Sequence, residues 1–302
     1  MYLPKKIYIY TFFFIFFIVK TLLKRKQKYA ICNIKPFLTF NCNKDIAIVY
    51  VYTSNIEKYA KHSILNIMKY CNLHGYGFIL YNKSLNQYIS PCWNKVAVIL
   101  KHLKRYKYLV WMDADAIIVD HNIKFEDIIN VNLNYDLLLT DDISWKKECI
   151  NSGVMIIKNS EWCYNLFTKV WKTKFPKAHN DQNVILYEIT KEVYPNTKIT
   201  LKYNKFCMRG NIHPKVIIFK QNYFNTNIKK FHRRDFVLHL MNRSSEDREH
   251  IMRQVNTKLG FDNYKDLDCI NLIQNGITDI NTVCFKNPKK KKKQKKSCTF
   301  VT

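Results

Sequence analysis

Glycine is scarce in this chain, with six in 302 residues. Neither of the common glycine-rich phosphate loops is present, which excludes a P-loop or dinucleotide-type cradle for a nucleotide. Ten cysteines occur, but no two stand as C-x-x-C, so a cysteine-built zinc site is excluded in practice. Cys71, Cys149 and Cys163 sit in apolar surroundings and are expected to pack as small hydrophobes. No internal repeat is found, and solenoid architectures drop out with it.

Acidic residues are also few: 23 Asp and Glu stand against 50 Lys and Arg, for a formal charge of +27. Taken alone, that balance points to nucleic acid, a membrane surface or an anionic substrate. Much of the charge lies at the margins, however. "KRKQK" covers Lys24 to Lys28 and "PKKKKKQKK" covers Pro288 to Lys296, and blocks of like charge are usually solvated tails. The middle stays basic, as suits a protein that handles phosphorylated ligands. Nucleic acid is not the expected partner, and oligomeric state, a homo-oligomer included, is left open.

From Ile7 to Val19 the chain carries no charge, and the run reaches Leu23 if Lys20 snorkels. No small-residue cleavage site follows, so residues 1–28 read as an uncleaved transmembrane signal anchor with basic flanks. Lys24, Arg25, Lys26 and Lys28 outweigh Lys5 and Lys6. Counted literally, this puts the remainder in the cytosol, against the lumenal placement that the function below would need.

Residues 29–44 read as a stem, 45–245 as an α/β domain, 246–285 as a helical extension and 286–302 as a disordered lysine-rich tail. "DIAIVYVYTS", "YGFILY" and "YLVWM" read as strands buried on both faces, and helical spacing separates them. Gly75 is the expected terminator of the first helix. Strand and helix alternate through this half, the signature of an α/β fold with a largely parallel sheet.

One strand runs straight into two like charges, "YLVWMDAD". In an open parallel sheet ligands sit beyond the carboxyl ends of the strands, where Asp113 and Asp115 emerge. Two such carboxylates repel unless a cation or proton lies between them, and a divalent metal on oxygen ligands would relieve the repulsion. A lone D-x-D also arises by chance as solvated acids after a strand.

"WMDADAIIVD" resembles the D-x-D segment of glycosyltransferases with the GT-A fold. "NSGVMIIKNSEW" (Asn151 to Trp162) is similar to the block that follows it in glycosyltransferase family 34, the galactosyl-, mannosyl- and xylosyltransferases. "WNK" (Trp93 to Lys95), "NDQNVI" (Asn180 to Ile185) and "FVLHL" (Phe236 to Leu240) fit in order, so the resemblance covers roughly Asp45 to Arg243. It implies a GT-A fold, Rossmann-like, with a mixed and mostly parallel central sheet flanked by helices. It also implies a retaining transfer of galactose, mannose or xylose from a UDP- or GDP-sugar to a glycan or glycoconjugate, in a Golgi or ER membrane enzyme of type II.

By the same resemblance, Asp113, Asp115 and His239 hold manganese or magnesium. A nitrogen ligand among carboxylates favours manganese. Lys95 and Arg243 are the phosphate candidates; a glycine that the family places after the histidine is missing here. Thr53 and Ser54 seat the nucleotide, and Asn151, Ser152 and Gly153 offer a backbone that a sugar can approach. Asp181 binds sugar hydroxyls, and Gln182 lies on the face of the anomeric carbon opposite the leaving diphosphate. Each has a plainer reading: His239 as a hydrogen-bonded core residue, Lys95 as an exposed helix residue, Thr53 and Ser54 as turn formers, Asp181 as a helix N-cap. A glycogenin-like retaining transferase, or an idle GT-A fold whose basic tail binds polyanions, are the alternatives.

Overall fold

The computed structural model describes residues 34–41, 44–86, 90–142, 150–173, 180–196 and 213–261, with Phe17, Ile18, Lys20, Thr21 and Ile31. Nearly all of the expected anchor, the second part of the extension and the lysine-rich tail lie outside the described residues. Among the described residues no helix is long and apolar enough to cross a membrane.

Among the described residues ten strands follow in chain order: β1 (Leu38–Phe40), β2 (Ile46–Val51), β3 (Gly77–Tyr81), β4 (Tyr108–Met112), β5 (Ala116–Ile118), β6 (Leu137–Thr140), β7 (Asn151–Lys158), β8 (Val216–Phe219), β9 (Thr226–Asn227) and β10 (Val237–His239). Every residue of β2, β3 and β4 is buried, as their unbroken apolar runs require for strands covered on both faces. Seven strands form one sheet in the order β1-β3-β2-β4-β7-β6-β8. Helices Asn94–His102, Glu161–Thr173 and Asp181–Val193 contribute to the core on one face, and Glu57–His74 and Phe125–Ile129 to the core on the other.

The sheet is mixed, but the expected excess of parallel strands is corrected. β2 pairs parallel with β3 and β4, and β6 with β8. β1 with β3, β4 with β7, and β6 with β7 are antiparallel. Burial on both faces gives the same composition whichever way a strand runs, so the apolar run in "GVMIIK" carried no direction. The sheet also begins at Leu38, inside the stretch expected as a stem. A three-residue edge strand with one buried residue is too short to display a period.

The first long helix, Glu57–His74, ends as expected on Gly75, which takes the left-handed conformation at φ 71°. The described part of the expected extension is the helix Ser245–Lys258, capped by Ser244, whose side chain accepts from the Asp247 N–H. It packs back onto the domain. Met252 is buried in a cluster with Tyr59, Ile117, Leu238 and Leu240, and Asn256 hydrogen-bonds Asn66 and the His62 carbonyl.

A small second sheet, β5-β10-β9, positions the chemistry. β5 follows the D-x-D at once, and β10 pairs antiparallel with it so that His239 lies opposite Ala116. A residue more than a hundred positions downstream is thereby set beside the aspartate pair.

Candidate active site

Asp113 leaves β4 with its N–H bonded to the Gly153 carbonyl at 2.7 Å, which ties the D-x-D turn to the start of β7. Its Oδ1 accepts from the indole of Trp111 at 2.7 Å and pairs with Lys95 at 3.1 Å. Oδ2 faces His239 Nε2 at 3.9 Å. Asp115 Oδ1 lies 3.1 Å from the same nitrogen. One ligand atom from each of Asp113, Asp115 and His239 falls within 4.8 Å of the others.

The orientation of His239 is set from behind. Asn225 donates its Nδ2 hydrogens to Asn151 Oδ1 at 2.7 Å and to Thr140 Oγ1 at 3.0 Å. Its Oδ1 therefore faces His239 Nδ1, at 2.9 Å, as an acceptor. That assigns the hydrogen to Nδ1 and turns Nε2 toward the carboxylates, the arrangement that second partners impose on metal-binding histidines. A carboxylate pair and an imidazole nitrogen converging at this spacing fit a divalent cation of the manganese or magnesium kind. His239 is buried and hydrogen-bonded, as its plainer reading held, yet its second nitrogen is aimed at the acids.

Electrostatics in the cluster are strongly coupled. Burial raises the Asp113 carboxyl above its usual range, against the pull of Lys95 and His239. For Asp115 burial works in the same direction but is outweighed by His239 and Arg248, which hold it down at about 2. Burial would lower His239, and the Asp115 and Asp113 charges overcome it and raise the imidazole.

Lys95, expected as either a phosphate ligand or an exposed helix residue, is only 4% exposed. Its ammonium bonds the Ser152 carbonyl and Oγ at 2.9 Å each and pairs with Asp181 Oδ2 at 2.9 Å. Burial alone would lower it, but Asp113 and Asp181 raise it, so it stays charged. The N-cap reading of Asp181 fails: Asn180 caps that helix, accepting from the Asn183 N–H. Asp181 instead accepts from Ser152 Oγ at 2.8 Å, and Gln182 Oε1 accepts from the Ser152 N–H at 3.0 Å.

Gly153 was expected to leave room for a sugar. What approaches it is the ring of His239, since a Cβ there would lie 2.0 Å from Cε1 and 2.5 Å from Nδ1. The glycine makes room for the imidazole and also lines the cavity.

Two adjoining cavities share Lys95, Asp113, Asp115 and Asp181. One, of about 230 Å³, is lined further by Tyr52, Thr53, Ile56 and Trp111. The other, of about 270 Å³, is bounded by Asn151, Ser152, Gly153, Gln182 and His239. Ten of the twelve expected site residues therefore meet at one place. Ser54 is exposed and opens a short 3-10 turn outside the lining, and Arg243 is outside it too.

The cation that enters is Arg248, with its Nη2 at 2.8 Å from Asp115 Oδ2. Sequence reading missed it, along with Asn225. The S-x-x-D pattern at Ser244 to Asp247 marks a helix start and would have placed Arg248 on the first turn, one step from the histidine strand.

Residues 43–145 match the family described as galactosyl transferase GMA12/MNN10. The chain is 29% identical over 129 residues to xyloglucan 6-xylosyltransferase 4 of Arabidopsis thaliana, covering 40% of this chain and 24% of that protein. It is 29% identical over 121 residues to galactomannan galactosyltransferase 1 of Cyamopsis tetragonoloba, covering 37% and 27%. The chain thus spans about a quarter of the length of these relatives. The structure of a glycosyltransferase involved in the glycosylation of the major capsid of PBCV-1 superposes with a TM-score of 0.53, at 16% identity, over 69% of this chain and 98% of that one. The family resemblance is borne out over the segment that holds the D-x-D, and the glycosyltransferase fold beyond it. Asn151, Asp181 and His239 lie outside the matched segment.

Proposed function

We propose that this chain is a metal-dependent, retaining glycosyltransferase that moves a hexose or pentose, such as galactose, mannose or xylose, from a UDP- or GDP-sugar to a glycan or glycoconjugate. The observation that carries this reading is the convergence of Asp113, Asp115 and His239 within 4.8 Å at the meeting of two cavities. Bound there, Mn2+ or Mg2+ supplies positive charge to the leaving diphosphate.

The chain's own groups do the remaining work. Thr53 and Tyr52 border the cavity suited to the nucleoside, and Lys95 fixes the carboxylates of Asp113 and Asp181 relative to each other. Asp181, held by Lys95 and Ser152, would accept hydrogen bonds from sugar hydroxyls. Gln182, held by the Ser152 N–H, is an amide and a poor nucleophile. The retaining route that the resemblance implies then has the acceptor attack from the face the diphosphate leaves. Rate comes from positioning and from stabilising the leaving charge, with no strong general base required.

An N-terminal anchor over residues 1–28 would hold the enzyme in a Golgi or ER membrane with its catalytic domain in the lumen. The test is release of UDP or GDP by the full chain from a panel of nucleotide sugars, with and without Mn2+ and with oligosaccharide acceptors. Metal-dependent release from one donor is expected. Absence of both release and nucleoside-diphosphate binding across the panel overturns the reading.

A further inference from the structure

Asp115 has both carboxylate oxygens engaged, Oδ1 by His239 and Oδ2 by Arg248. Arg248 is at the same time anchored along its length. Its Nε bonds the Leu240 carbonyl at 3.2 Å, its guanidinium lies over the Tyr59 ring at 5.2 Å, and Nη1 is 3.4 Å from the Tyr59 hydroxyl. The helix that carries it is clamped to Glu57–His74 by Glu249, which pairs with Lys58 at 3.3 Å and Lys61 at 3.7 Å. Only Nη2, the nitrogen on Asp115, can therefore change partner without loss of these anchors, and Arg248 borders the cavity that also holds Asp113, His239 and Gln182.

We infer that Arg248 is an internal competitor for Asp115 that opposes metal binding in the empty site and supports it once a nucleoside diphosphate is present. The inference rests on the metal-dependent reading above. A dication held by Asp113, Asp115 and His239 shares a carboxylate with the guanidinium, and two cations on one carboxylate repel. With no anion in the cavity, that repulsion works against the metal. A diphosphate brings negative oxygens to the same cavity, and a charge-assisted hydrogen bond from Nη2 suits them. Leu240 and Tyr59 keep Nε and Nη1 in place while Nη2 passes from Asp115 to the diphosphate. Metal and donor are then coupled through one side chain, each raising the affinity for the other by the same factor.

The measurement is Mn2+ binding by the full chain, followed by the loss of the free-ion EPR signal, without and with saturating UDP or GDP. In the parent the nucleotide should tighten Mn2+ binding. In Arg248→Gln, Mn2+ alone should bind more tightly than in the parent, while the factor gained from the nucleotide should fall by at least about fivefold. A merely structural role would weaken metal binding, not strengthen it. Arg248→Met, which retains an apolar stem against Tyr59, gives the same comparison if the glutamine variant does not fold. Mn2+ alone binding no more tightly to the variant than to the parent overturns the inference. A parent that binds no Mn2+ overturns the metal-dependent reading itself, and the two failures are thereby distinct.

Discussion

The ring of His239 occupies the space that a side chain on Gly153 would need, with Cε1 only 2.0 Å from where a Cβ would stand. Strand β7 and strand β10 belong to different sheets, and this contact is where they meet the D-x-D turn. Gly153→Ala should therefore push the imidazole out of register with Asp113 and Asp115. Overpacking of this kind costs about 1–3 kcal/mol, and metal affinity should fall at least about tenfold. Thermal denaturation and Mn2+ titration of the same preparation check both parts.

Asn225 orients the imidazole by accepting from Nδ1. Asn225→Ala removes that acceptor and the donors to Asn151 and Thr140 while leaving all three proposed ligands in place. Mn2+ affinity should fall by roughly 10–100-fold, with the circular dichroism spectrum unchanged. An unaltered affinity would mean that the tautomer is fixed by something else.

Lys95 is the buried cation of a triad with the half-buried Asp113 and the buried Asp181. Lys95→Met leaves carboxylates without their partner and should cost about 3–5 kcal/mol. Adding Asp181→Asn to it removes one of the stranded charges and should recover part of that loss. A double-mutant cycle in urea measures both, and strict additivity would contradict the triad.

Three buried histidines weaken the fold in acid. Burial lowers His62, His102 and His121 from 6.5 to about 4. The unfolded chain thus binds protons that the folded chain refuses between those values, and stability rises with pH across the window. Their contribution is complete above about pH 6.5 and is lost as pH falls toward about 4. Urea denaturation at pH 7, 5.5 and 4.5 should show a falling midpoint, and His102→Gln should flatten the slope.

The parts of the fold with dense apolar runs were legible in the sequence. β2, β3 and β4 are buried end to end, and Gly75 ends its helix for the reason its position suggests. Strand direction was not legible, because β7 packs antiparallel to β4 with the same apolar content a parallel strand would carry. Asp113 and Asp115 could be read from their place after a strand, and His239 only through family likeness. Arg248 and Asn225 act across long stretches of chain, on Asp115 and Asn151 respectively. The helix start at Ser244 to Asp247 marks where Arg248 stands but not its partner, and nothing local marks one asparagine in "NYFNTN" as different from its neighbours.

The claim on which the rest depends is that Asp113, Asp115 and His239 together hold a divalent cation. Mn2+ titration of the full chain, followed by EPR, against the Asp113→Ala/Asp115→Ala double variant tests it most directly. One equivalent bound by the parent and none by an equally folded variant is the predicted result. No binding by the parent, or equal binding by both, would contradict it.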